Sequence, residues 1–133
     1  MTYPTTVQFL LADDCRQEPG NKFSVLGFLP GDDLIAEGME AGMALPSLVV
    51  IIIFRDGEGT FASKVRIISE TSGSEIQSSS QGTAVKQPHK SLTMVLKFAP
   101  FFVKEFGTYR LIVSLDDKEY QFPFRILDKL PEA

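Results

Sequence analysis

The sequence contains no tryptophan, a single cysteine and a single histidine, and its lysines and arginines occur only as scattered singles and pairs. One thiol, Cys15, can close no intrachain disulfide and offers no paired thiolates for zinc, and it is at ease in a reducing compartment. Seventeen acidic residues against 13 basic ones give a net charge of −4. Without a basic patch to meet a phosphate backbone, nucleic acid is not an expected partner. Long apolar runs are missing as well. The longest, Leu48 to Phe54, is far short of a bilayer span, so no membrane association is expected. The opening "MTYPTTVQFLLADD" has no basic region before its apolar run from Phe9 to Ala12, which is itself too short for a signal peptide. A soluble, cytoplasmic protein is the expectation. Also absent are a Gly-x-Ser-x-Gly elbow, a phosphate-cradling Gly-x-x-x-x-Gly-Lys loop and a His-Glu-x-x-His zinc motif. These absences weaken the case for an enzyme and leave no cofactor to expect.

What is present is β pattern. The aromatic residues are 11 Phe and 3 Tyr, and a Phe-rich chain with few helix signals leans toward a β core. The stretch "FGTYRLIVSLDDKEYQFPFRI", residues 106 to 126, is the most legible. Tyr109, Leu111, Val113 and Leu115 share one face, Thr108, Arg110 and Ser114 the other, and only Ile112 breaks the alternation. After Asp116 and Asp117 the pattern resumes with Tyr120, Phe122, Phe124 and Ile126 on one side. A two-residue turn at the aspartates sets Val113 opposite Tyr120, Leu111 opposite Phe122 and Tyr109 opposite Phe124, which brings every large apolar residue to one face. A four-residue loop keeps the same parity, so the turn length stays open. Pro123 cannot donate to a ladder, which argues for a sheet edge there.

Upstream, Val7, Phe9 and Leu11 alternate with Thr6 and Gln8, and after the turn-rich "DDCRQEPGN" comes "KFSVLGF"; these read as two antiparallel strands. "LVVIIIF", residues 48 to 54, fits a central strand covered on both faces. Phe61, Val65 and Ile67 alternate next, "SGS" at 72 to 74 makes a turn, and Leu92, Met94, Leu96 and Phe98 alternate again. "LIAEGMEAGMAL", residues 34 to 45, has room for a helical turn but is broken by Gly38 and Gly42, and "SSSQGTAVKQPHK", residues 78 to 90, reads as a mobile loop. Residues 1 to 133 make one domain, expected to be all-β: an antiparallel immunoglobulin-like β-sandwich of about seven to nine strands, with Val50, Ile52, Val113 and Phe122 in its core. A Tyr at the start of a late strand, after "APFFVKEFG", is similar to the tyrosine corner of immunoglobulin-like domains, although the Cys…Trp…Cys signature of antibody domains is absent.

The N-terminal "VQFLLADDCRQEPGNKFSVLGF" and the C-terminal "FGTYRLIVSLDDKEYQFPFRIL" together resemble a family of small, uncharacterised bacterial proteins, a domain of unknown function. The positions that match are Phe9, Ala12, Asp13, Asp14, Lys22, Gly27, Gly107 and Tyr109; Asn21 stands where a turn glycine is usual, with Gly20 just before it. The resemblance covers roughly a third of the chain. It implies an immunoglobulin-like sandwich and no catalytic residues.

The candidates for chemistry are few. Cys15 beside Asp13 and Asp14 would need a base such as His89 to serve as a nucleophile, and the flanking Asp14 disfavours its thiolate unless Arg16 outweighs that charge. His89, after Pro88, reads as a solvated loop side chain. Acidic pairs at 13 and 14, 32 and 33, and 116 and 117 bring calcium to mind, but the first two pairs flank one strand and are expected near its opposite ends. They read as turn residues, and no metal is expected. The remaining signal is apolar: "FAPFFVKEF", residues 98 to 106, and the methionines of "GMEAGM". Met39, Met43, Phe101 and Phe102 are the candidate partner surface, the competing reading being that Phe101, Phe102 and Phe106 close one end of the sandwich. The expected role is a non-catalytic binding or structural module that engages a protein partner or a copy of itself. Its rivals are a small enzyme using carboxylates and a sandwich holding a small apolar ligand between its sheets; a concave pocket with convergent titratable groups would favour the enzyme.

Overall fold

The computed structural model describes residues 1–31, 33–36, 38, 40, 42–79 and 81–128. Alternating side chains fold into strands where they were expected to. β1 (Val7–Ala12), β2 (Asp14–Glu18), β3 (Lys22–Leu26), β4 (Asp33–Ile35), β5 (Ala44–Leu45) and β6 (Leu48–Phe54) fill the first half. β7 (Gly59–Ser69), β8 (Glu75–Ser78), β9 (Gly82–Lys86), β10 (Leu92–Phe98), β11 (Phe101–Phe102), β12 (Gly107–Leu115) and β13 (Lys118–Leu127) follow. The described residues thus hold thirteen strands and no helix, more strands than expected because short two-stranded ribbons count alongside the sandwich.

One sheet has the order β1-β6-β10, antiparallel throughout, with the β-branched β6 between its neighbours as the sequence indicated. The other runs β4-β13-β12-β7, with β8 and β9 side by side on the far edge of the long β7. Leu48, Val50, Ile52 and Phe54 from the first sheet meet Phe61, Val65, Ile67, Tyr109, Leu111 and Val113 from the second in one buried cluster. Phe122 packs against that cluster from its margin and stacks on Phe9, ring centroids 4.9 Å apart. The result is an antiparallel β-sandwich. On β6, Val49 and Ile51 of the opposite parity are buried too, so both faces of the strand are covered.

The β12–β13 hairpin has the expected register at all three aromatic pairs, and its turn has two residues. Asp116 takes the left-handed conformation, φ +50°, that Asp tolerates. It also accepts a hydrogen bond from the Ala62 N–H through Oδ1 at 2.8 Å, tying the turn to β7. Ile112, the one apolar residue on the outer face, is nonetheless buried, with Arg66 and Gln121 opposite it on the flanking strands. Pro123 has only β12 beside it among the described residues, but β13 is not the edge strand the proline suggested. Two residues further on the edge closes, because β4 pairs in parallel with Arg125, Ile126 and Leu127.

Two expectations need correction. "DDCRQEPGN" is mostly strand: residues 14 to 18 are β2, the partner of β3, and only 19 to 21 turn. The reading failed because a ribbon exposed on both faces needs no apolar alternation. Residues 82 to 86 of the supposed mobile loop are β9, with Ala84 and Lys86 buried on one parity and Lys86 Nζ donating to the carbonyls of Gly57 and Gln87. A lysine at an inward position hid that alternation. In the stretch with room for a helical turn, residues 34 and 35 belong to β4 and 44 and 45 to β5, Met43 N–H donates to the Glu40 carbonyl at 3.2 Å across a turn, and residues 37, 39 and 41 lie outside the described set.

The N-terminal segment straps the open end of the sandwich. Thr2 bridges to Glu58, Tyr3 stacks on Phe61 at 5.2 Å, and the Tyr120 hydroxyl donates to the Pro4 carbonyl at 2.6 Å. Gly57, at φ +82°, lets this segment pass: a Cβ there would stand 2.7 Å from the Pro4 nitrogen and the Thr2 carbonyl oxygen.

Candidate functional site

The structure separates the residues that could have made a nucleophilic site. Cys15 lies on β2, beyond Ala12 at one end of the first sheet, whereas His89 precedes Leu92, which pairs with Phe54 at the other end. The length of β6 intervenes, about 20 Å at about 3.3 Å per residue. Burial, and after it the Asp14 carboxylate, push the Cys15 thiol up, away from a reactive thiolate.

The acidic pairs are each occupied differently. Asp14 accepts from its neighbour's backbone N–H and from Lys97 Nζ at 3.3 Å, Asp33 forms a two-pronged pair with Arg125, and Asp116 accepts from the Ala62 N–H within β7. The reason given for keeping 13 and 14 apart from 33 is itself corrected. Asp14 faces Leu26, the last residue of β3, because the turn lies at 19 to 21, so both acidic groups sit toward the same end of that strand. Asp32 lies outside the described residues.

An open cleft of about 420 Å³ is lined by Thr2, Arg55, Asp56, Glu58 and His89. Its charges are largely committed to holding the chain together. Arg55 donates through Nε and Nη2 to Gln8 and through Nη1 to Ser91. Asp56 accepts from the Thr5 hydroxyl and from the backbone N–H groups of Thr5 and Thr6 at 2.8 and 2.7 Å. Those bonds, the Thr5 hydroxyl foremost, hold the Asp56 carboxyl down at about 2 against an ordinary 3.8. A folded-state value below the unfolded one means that the bound strap contributes stability in full above about pH 4 and loses it as pH falls through about 2. Asp56→Asn is therefore expected to flatten the decline of melting temperature between about pH 4 and pH 2, and parallel declines in variant and wild type would refute this.

Of the apolar candidates, part is core and part is exposed. Phe101 is fully buried, edge-on to both Phe98 and Tyr109, and so belongs to the core. It drops out of the candidate surface because adjacent strand residues face opposite ways, and Phe102 is the one turned outward, 53% exposed. Met43 is exposed as well, and Met39 lies outside the described residues. The residues that sequence reasoning missed are Phe23, Val25, Leu26 and Phe28. They read as one more apolar strand, yet among the described residues β3 pairs only with β2 in a two-stranded ribbon, and all five of its residues are exposed.

These six exposed side chains share a location. The ribbon follows Ala12, β5 precedes Leu48, and β11 follows Phe98, and Ala12, Leu48 and Phe98 all stand at one end of the first sheet. Among the described residues nine large hydrophobics are exposed, and the other three, Met1, Val85 and Val95, are scattered. Charge is concentrated in the same part of the chain. Positions 13 to 45 hold seven acidic and two basic residues, a net −5, so against the total of −4 the remainder carries +1. Asp13, Glu18 and Glu40 are exposed there without an ion-pair partner among the described residues.

Among solved structures, an immunoglobulin-like protein from Pseudomonas aeruginosa is similar at 13% identity, covering 92% of this chain and 98% of that one, with a TM-score of 0.34. A β-glucosidase from Listeria innocua, solved with glucose, is similar at 14% identity with a TM-score of 0.43; the match covers 91% of this chain but only 16% of the glucosidase. No curated protein matches the chain. Residues 7–127 match a family of unknown function, DUF6941, and the chain, with its two-sheet sandwich and projecting ribbon, belongs to that family.

Proposed function

We propose that the protein is a non-catalytic module that engages another protein through the end of the sandwich bearing Phe23, Val25, Leu26, Phe28, Met43 and Phe102. The observation that carries this reading is their segregation. Single exposed apolar residues are ordinary on any surface, but six of the nine among the described residues lie on the ribbon and connections at one end of the sandwich, and such clustering marks an interface. The main rival, a carboxylate enzyme, calls for titratable groups converging on a concavity with room to act. In the cleft by His89, the arginine and one carboxylate are bound to the protein's own chain instead. The test is site-specific photocrosslinking in the cells that make the protein. A photoreactive residue at position 23 or 102 should yield adducts of discrete mass and one at position 85 should not. Equal labelling at all three positions, or none at 23 and 102, would refute the proposal.

A further inference from the structure

We infer that this end receives an extended, cationic protein segment, which adds as a strand to the free edge of β3. The inference rests on the interaction-module reading and specifies its partner.

One edge of the ribbon is open. β3 is the outer strand of a two-stranded ribbon, with β2 on one side and no partner on the other among the described residues. Natural sheets guard such edges with proline, bulges, covering loops or a row of charges. Within Lys22–Leu26 there is no proline, the register with β2 is regular over five pairs, and Lys22 is the only charged residue. The backbone is therefore open to strand addition, in which main-chain hydrogen bonds supply affinity and alternate side chains supply specificity.

The two faces of the ribbon carry different patterns. Phe23 and Val25 share a face with Gln17 and Cys15, the residues opposite them. The other face carries Asp14, Arg16 and Glu18 alongside Lys22, Ser24 and Leu26. A segment that alternates apolar and basic residues would set its apolar side chains beside Phe23 and Val25 and its long basic ones beside Ser24 and Leu26, reaching across β3 toward Glu18 on β2.

Among the described residues at this end, Asp13, Glu18 and Glu40 carry no ion pair against Lys22 alone, so the free charge is acidic and a two-fold contact through the same patch would set like charge against like. The same charge opposes nucleic acid and anionic lipid. It attracts a cationic chain, and Asp13, Glu18 and Glu40 are exposed and unpaired to receive it.

The test is an amide NMR titration of the full chain with three ten-residue peptides: alternating Val and Lys, alternating Val and Glu, and alternating Ser and Lys. The Val/Lys peptide should shift the amides of residues 22 to 28, with affinity falling at least tenfold between 50 and 200 mM salt, and the other two should bind at least tenfold more weakly. Phe23→Ser with Val25→Ser should weaken Val/Lys binding at least tenfold while the amide spectrum of the sandwich stays intact. Equal binding of the Val/Glu peptide, shifts confined to β9 or β10, or no binding by the Val/Lys peptide would overturn the inference. If photocrosslinks at position 23 nonetheless form, the interaction reading stands and only the cationic segment falls; adducts of twice the chain mass would assign the surface to self-association instead.

Discussion

Ile52→Ala is expected to destabilise the fold by about 2–5 kcal/mol, the range for removing a large aliphatic side chain from a packed interior. Ile52 is 0% exposed at the middle of β6, opposite Phe9 on one neighbouring strand and Met94 on the other. The lost transfer free energy is one part of the cost. The other is the cavity left behind, which β6 cannot easily collapse into, because it is hydrogen-bonded along both edges and buried on both faces. A chemical denaturation curve with an unchanged slope and a midpoint shifted by less than about 1 kcal/mol would show that the core closes around the gap, and would move the centre of the fold away from β6. The same variant leaves the apolar end alone. Val/Lys peptide binding should survive in the folded fraction, which separates the scaffold from the surface it carries.

The elements legible in the sequence are those whose apolar residues alternate and whose turns are short. The β12–β13 hairpin could be read down to its residue pairs, because one register alone puts Tyr109, Leu111 and Val113 beside Phe124, Phe122 and Tyr120. β6 was legible because a run of β-branched residues has no stable place except between neighbours. β2 and β9 were not legible. β2 has no buried face to impose alternation, and β9 uses the aliphatic stem of Lys86 as one of its buried residues. The candidate surface was half legible for a related reason. Local pattern fixes that Phe101 and Phe102 face opposite ways but not which of them meets the core. Likewise, nothing in "KFSVL" tells a strand inside a sandwich from one on a projecting ribbon, since that depends on whether a second sheet lies above it.

Tyr109 separates packing from polar anchoring within one side chain. Its ring is fully buried, stacked on Phe124 with centroids 5.6 Å apart and edge-on to Phe101. Its hydroxyl donates to the Glu105 carbonyl and accepts from the Glu105 N–H at 3.2 Å. That is the tyrosine corner, closing the irregular connection between β11 and β12. Burial pushes the phenol up, so the hydroxyl remains a donor across the ordinary pH range. Tyr109→Ala is expected to cost about 3–5 kcal/mol, because it empties the site between Phe101 and Phe124. Tyr109→Phe keeps the ring and should cost about 0.5–1.5 kcal/mol for the lost hydrogen bonds, rising toward about 3 where the Glu105 backbone groups are left dry. A loss for Tyr109→Phe as large as that for Tyr109→Ala would mean that the corner is held by the hydroxyl and not by the rings. A Tyr109→Phe variant of unchanged melting temperature but without binding at the ribbon would move the functional site to this hairpin. The expected pair, a large loss for Ala and a small one for Phe with peptide binding intact in both folded fractions, places Tyr109 in the frame and leaves recognition to the exposed end.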